Sequence, residues 1–184
     1  LVPDKGLDKV FVFKFQNGKL HPAQVPEVVL RETSGPRHLA FHPSQPWVYV
    51  INELDSTVTG CHFDAVKGAL KPFQVVPSLS DTYTGNSRSS EIEVNRAGTT
   101  VYASNRGEDS VAVFAIESTS GRLSLIQTQD ALGRTPRFFA LSPDNRWMFV
   151  LNEDSDSIVT FQVAPADGKL SATSHAVTCG SPVC

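Results

Sequence analysis

The chain has 184 residues, 40% of them hydrophobic, which is enough to bury a real core. Its 16 basic and 19 acidic side chains leave a net charge of −3, which excludes the electrostatic footprint of a nucleic-acid or anionic-membrane binder. No apolar run reaches the roughly 18 to 20 residues of a membrane-spanning helix.

The first segment, "LVPDKGLDKVFVF", opens as though already inside a strand pattern, without a leading Met or a charged-then-apolar signal segment, so the chain reads as a piece of something longer. "VFVFKF" then alternates toward "NGKL", a hairpin whose turn needs positive φ at Gly18. The same Gly-x-Leu signal returns at Gly68, Gly121 and Gly168, a period close to 50 residues. Helical periodicity is absent.

Between these hairpins lies another, seen in "HLAFHPSQPWVYVIN", "EIEVNRAGTTVYASN" and "FFALSPDNRWMFVLN". Four strands per unit at this period point to an all-β fold, a β-propeller whose blades are four-stranded meanders that bury their faces only against neighbours. Lettered A to D from the channel outward, the strands of one unit are expected at 38–42, 47–51, 57–63 and 70–76. The blade units fall at approximately 1–34, 35–86, 87–134 and 135–184. The first supplies only a C to D hairpin, so about three and a half blades are present.

Two stretches, "PRHLAFHPSQPWVYVINE" (36–53) and "PRFFALSPDNRWMFVLNE" (136–153), hold an Arg and a Glu at one separation. In a hairpin, residues equidistant from the turn oppose each other, so Arg37 meets Glu53 about a turn centred on Gln45. Arg137 meets Glu153 in the same way, and Ser90 opposes Arg106 in the unit between. Arg37, Glu53, Glu91, Arg106, Arg137 and Glu153 therefore converge on one mouth of the channel. Cross-strand ion pairing would account for the Arg–Glu pairs alone. The broken middle pair, which leaves Arg106 without its own opposite, favours an anion-binding pocket.

Other recurrent residues read as structure. Asp55–Ser56, Asp109–Ser110 and Asp156–Ser157 follow strand B and suit a turn. Trp47 and Trp147 share a place in strand B and read as packing, and His42 before a turn Pro reads as surface. His38, next to Arg37, is either a packed residue or a ligand contact. The loop from Pro77 to Ser90 is the longest turn-rich stretch and arrives at the same mouth. Cys61, Cys179 and Cys184 are expected to be buried, inert thiols; an odd count without close pairing or a nearby His cluster suits a reducing, cytoplasmic setting and no metal site.

The consecutive motifs "GPRHLAFHP…VYVINELDSTV", "SEIEVNRAGTTVYASNRGEDSVAVF" and "TPRFFALSPDNRWMFVLNEDSDSIVTF" resemble the C-terminal half of the lactonase family of seven-bladed propellers. That family includes bacterial-type 6-phosphogluconolactonase and fungal 3-carboxy-cis,cis-muconate cyclase. The resemblance implies lactone hydrolysis in the sugar-phosphate (pentose phosphate) pathway; muconate cyclisation and a non-catalytic, partner-binding propeller are the alternatives. It implies Glu53 as general acid or base, with Arg37 and Arg106 as anion clamps that stabilise the lactone oxyanion. His38, Glu91, Arg137 and Glu153 would contact a small anionic substrate, a phosphosugar lactone or a carboxymuconate. No cofactor is implied, since water attacks an already activated ester. The sequence departs from the family pattern in two places: Glu153 stands where Gln is common, and "SRSSEI" replaces a small apolar approach to Glu91. A further catalytic His belongs upstream of this chain, and the partner expected is the missing propeller half or a second copy.

Overall fold

A computed structural model describes residues 1–184, and every extended element belongs to one of four antiparallel sheets. β1 (Val2–Asp4), β2 (Lys9–Gln16) and β3 (Lys19–Val29) form the first. The second runs β4 (Pro36–Phe41), β5 (Trp47–Asn52), β6 (Thr57–Asp64) and β7 (Ala69–Pro77). The third is β8 (Arg88–Val94), β9 (Thr100–Arg106), β10 (Ser110–Ile116) and β11 (Leu123–Asp130). The fourth is β12 (Pro136–Leu141), β13 (Trp147–Asn152), β14 (Ser157–Val163) and β15 (Leu170–Thr178). One 3-10 turn, Glu153–Ser155, is the only helical element.

The strands of the second blade lie within two residues of the positions expected from the sequence. The first blade is fuller than expected, because Val2–Asp4 pairs with Lys9–Phe11 and adds the end of a B strand to the C to D hairpin.

Strand chemistry explains the stacking. All six residues of β5, "WVYVIN", are buried, because its two faces serve two different neighbours. Val48 and Val50 turn back to pack with Val10, Val12 and Leu30 of the first blade. Trp47, Tyr49 and Ile51 turn forward onto Val101, Ala103 and Phe114 of the third. A third cluster joins Tyr102, Val111 and Val113 to Phe139, Met148 and Phe161. The core is thus a set of interfaces between blades, each large side chain contributing about 1.5–3 kcal/mol by leaving water. Trp47 is core as expected, whereas Trp147 is only half-buried.

His42 is a correction to the surface reading. It is buried, its Nε2 2.9 Å from the Gly98 carbonyl oxygen, and its Nδ1 accepts the backbone N–H groups of Ser44 and Gln45. The imidazole fastens the A to B turn of one blade onto that of the next, a role that periodicity along one strand does not show.

Candidate functional site

The innermost strands β4, β8 and β12 lie side by side, and the site forms at one end of them. Four residues stand in equivalent register at or next to the ends of the B strands, for Asp4, Asn52, Asn105 and Asn152 pair with Lys9, Thr57, Ser110 and Ser157. The next residue in each blade carries a charge: Lys5, Glu53, Arg106 and Glu153. Signs alternate around the mouth. The three asparagines just before them are buried and hold the corner. Asn105 donates to the Ser78 carbonyl and Asn152 to the Ala131 carbonyl, tying each B strand to the segment that leaves the preceding blade.

Glu53 is the hub. Only 7% of its side chain is exposed, and its carboxylate oxygens lie 3.2 Å from Lys5 Nζ, 3.1 Å from Arg37 Nε and 3.2 Å from Arg106 Nη2. Arg88 Nη1 approaches to 3.7 Å. Burial alone would raise the carboxyl pKa, but the Lys5 hydrogen bond and the charges of Arg106, Lys5 and Arg37 outweigh it, and the net direction is downward. Arg37 is itself lowered, first by burial and then by Arg106 and Arg137, although it stays cationic.

Arg37 and Glu53 do meet, but not by the register expected. Main-chain pairing runs His38↔Ile51 and then Pro36↔Asn52, so Arg37 is the extra residue of a bulge. Arg137 is the extra residue in the equivalent bulge of the fourth blade, and its Nη1 lies 3.2 Å from Glu153. The middle pair needs a larger correction. Arg88, not Ser90, stands opposite Arg106, since the bulge in β8 takes up both Ser90 and Glu91. Arg106 is also not left alone: it reaches Glu53 of the preceding blade. Bulges at such ends re-aim side chains, and here they turn three A strands toward one another.

Ser90 takes the place of the bulge Arg in the third blade and links its neighbours. Arg37 Nη1 donates to Ser90 Oγ at 3.0 Å, and that hydroxyl donates to the Arg137 carbonyl at 2.6 Å. His38 Nδ1 sits 2.9 Å and 3.0 Å from the two oxygens of Glu91, which is buried.

Lys5, Arg37, Glu53, Arg106 and Arg137 line a cleft of about 450 Å3, with Pro3 and Pro36. Four cations face one carboxylate there. A second cleft of about 590 Å3 shares Arg106 and is lined by Arg88, Asn86, Ser87, Leu54, Gly107 and Thr135. The long loop does arrive at this mouth. It is pinned where Ser80 N–H and Oγ donate to Glu108 and where Ser87 Oγ donates to the Arg106 carbonyl. Gly107 lets it pass: φ is +114°, and a Cβ there would stand 2.3 Å from the Asn86 carbonyl oxygen.

The sequence reading missed Lys5 and Arg88. Lys5 lies 48 residues before Glu53, close to the blade period, and that spacing was the available signal. The Asp residues after strand B do more than shape a turn. Asp8 accepts the Thr33 and Gly35 N–H groups, and Asp109 accepts that of Thr135, so each clamps the segment entering the next blade two residues before Arg37 or Arg137.

The family described as "Lactonase, 7-bladed beta-propeller" matches residues 1–184. A 6-phosphogluconolactonase of Bacillus subtilis strain 168 is 33% identical over 181 residues, 98% of this chain and 51% of the relative. One of Formosa agariphila is 35% identical over 177 residues, 91% of this chain and 48% of the relative. Among solved structures, a periplasmic gluconolactonase of Pseudomonas aeruginosa superposes with a TM-score of 0.91 at 31% identity, covering 98% of this chain and 51% of that one. The chain spans about half the length of the relatives it matches.

Proposed function

Because this chain belongs to the lactonase family of seven-bladed β-propellers, we propose that it supplies the anion-binding wall of a lactone hydrolase acting on a phosphosugar lactone of the 6-phosphogluconolactone type. The observation that carries the reading is the cleft in which Lys5, Arg37, Arg106 and Arg137 face the single carboxylate of Glu53. Such an excess of cations leaves room for a doubly charged group, and guanidinium forks bind phosphate or carboxylate through paired N–H donors. One fork holds the phosphate. Another donates to the lactone carbonyl oxygen, where negative charge develops as water adds, and a fixed donor there lowers the barrier.

The relatives named as 6-phosphogluconolactonases favour hydrolysis over muconate cyclisation and over a purely partner-binding propeller. We place the activity in the cytoplasm on the three unpaired thiols. Turnover of 6-phosphogluconolactone and of a carboxymuconate lactone by the full-length polypeptide tests the reading. Hydrolysis of the first alone, inhibited by inorganic phosphate and reduced in Arg37→Met, supports it. Turnover of the muconate alone overturns it.

A further inference from the structure

A lactonase site needs a group that takes a proton from water, and the hub carboxylate is poorly suited to that. Glu53 spends both oxygens on Lys5, Arg37 and Arg106, all within 3.2 Å. Its affinity for a proton is reduced accordingly, whereas a general base works best with a pKa near the working pH. The next residue along the inner strand from Arg37 is arranged differently.

His38 has one ring nitrogen engaged and one free. Nδ1 lies 2.9 Å from Glu91 Oε2 and 3.0 Å from Oε1. Oε1 also accepts the Ile92 N–H at 3.0 Å, so the carboxylate acts as an acceptor throughout and Nδ1 carries the proton. Nε2 is then the lone-pair nitrogen. It has no partner in the protein, and 42% of the side chain is exposed. The buried carboxylate that fixes this tautomer is itself fixed by backbone, which is how an imidazole is held ready to accept a proton.

Neither His38 nor Glu91 lines the cleft itself, but His38 directly follows Pro36 and Arg37, which do. Because Arg37 is a bulge residue, it and His38 both reach the same neighbouring strand, Arg37 to Ser90 and His38 to Glu91. The Glu91 charge also acts on Arg37, so the two arrangements share one electrostatic environment.

We propose that His38, oriented by Glu91, is the general base of the lactone hydrolysis, and that Glu53 is a positioning residue that spreads the Arg fan. The inference rests on the lactonase reading above. In the step, His38 Nε2 takes a proton from water while the water oxygen bonds to the lactone carbonyl carbon. The carbonyl π electrons move to oxygen, which the guanidinium donors hold. As the carbonyl re-forms, the bond from that carbon to the ring oxygen breaks. The ring oxygen takes the proton from Nε2, and the new carboxylic acid releases its own to solvent. Lactone and water become the hydroxy acid, and His38 returns to its starting state.

The test uses the full-length polypeptide and 6-phosphogluconolactone. His38→Gln is expected to lower kcat by on the order of 100-fold or more with KM changed little, the loss typical of a missing general base. Imidazole added to His38→Ala should restore part of the rate, which no structural role would predict. Glu91→Gln should lower kcat less and leave binding of the product intact. Independently of turnover, the Nε2 resonance of His38 should move when 6-phosphogluconate binds. An active wild type whose His38→Gln variant keeps its kcat overturns the assignment, and so does an Nε2 signal unmoved at saturating product. A wild type with no lactonase activity overturns the reading of the whole site, and the base falls with it.

Discussion

Arg106 Nη2 lies 3.2 Å from Glu53 Oε2, although the two residues belong to adjacent blades whose strands share no ladder. The contact therefore reports how the blades are stacked. It joins the same two blades as the bonds of His42 to Gly98 and of Tyr49 to Gly121, but it alone among these lies in the cation fan.

Removing the hub carboxylate should loosen the mouth and make it hungrier for anions. Glu53→Gln leaves Lys5, Arg37, Arg88 and Arg106 without their shared partner, and the expected loss is about 1–3 kcal/mol at neutral pH. Since the folded carboxyl lies below its ordinary value, its contribution is present above about pH 4.5 and is lost as the pH falls through the folded value. The gap between wild type and variant in thermal unfolding should narrow in acid. At pH 7, added phosphate should raise the Tm of the variant more than that of the wild type. An equal response would show that the fan does not bind anions.

Arg106 and Arg137 should differ in their effect on binding. Arg106 is nearly buried and lines both clefts, so Arg106→Met is expected to weaken 6-phosphogluconate binding about 10- to 100-fold, the worth of a charged hydrogen bond. Arg137 is more exposed and already paired with Glu153, and Arg137→Met should cost only a few-fold. Calorimetric titration of both variants checks the order.

Much of this architecture was legible in the sequence. A period near 50 gave the blades, and equal Arg-to-Glu spacing in two of them gave the mouth. Those signals are local or repeated. What was not legible lies in bulges inside a hairpin and in contacts of one blade with the next. The bulge at Arg37 shifts pairing by one residue and cannot be counted from the turn, since β5 is buried on both faces and carries no polar alternation to fix its register. Arg88 opposite Arg106 follows from a wider bulge of the same kind. His42 looked like a surface residue because its partner, Gly98, lies 56 residues away in the next blade.

The loop from Ser78 to Ser87 should respond to the residue it crosses. At Gly107 a side chain would collide with the Asn86 carbonyl and adopt a left-handed backbone, so Gly107→Ala should cost about 1–3 kcal/mol and displace Arg88 from the mouth. We expect the wild-type loop amides to gain protection from hydrogen exchange with 6-phosphogluconate, and those of Gly107→Ala to gain less. Unchanged exchange in the wild type at saturation would rule out a gating role.

The thiols separate into two classes, which corrects the expectation that all three are buried. Cys61 packs between the first two blades and burial pushes its pKa up to about 12, whereas Cys179 and Cys184 are exposed. A thiol so raised holds almost no thiolate at neutral pH, and thiolate is the reactive form. Reaction with an aromatic disulfide reagent should release two equivalents from the native chain and a third only after unfolding. Three rapid equivalents would mean that the interface between these blades opens readily.

The 184-residue chain on its own should bind anions weakly and turn over poorly. The cleft cations and the His38–Glu91 pair are all present, but the outer faces of the first and fourth blades carry unburied apolar side chains. Phe15 is 73% exposed, while Phe11 and Phe13 on the same face of β2 lie with ring centroids 6.5 Å apart. Phe149 is exposed on the fourth blade, at the place where Tyr49 in the second donates a buried hydroxyl to Gly121. Faces of this kind associate in water, so the isolated chain should show a mass that rises with concentration. Catalysis demands more than the residues. Groups must be held within a fraction of an ångström in a mouth largely closed to water, and misplacement by 1 Å costs about 100-fold. We therefore expect kcat/KM for 6-phosphogluconolactone at least ~100-fold below that of the full-length polypeptide. Turnover and sedimentation measured on the same sample decide the matter. Full activity from a monomer would show that these blades enclose the site unaided, and activity that rises with a dimer would show that two copies close one channel.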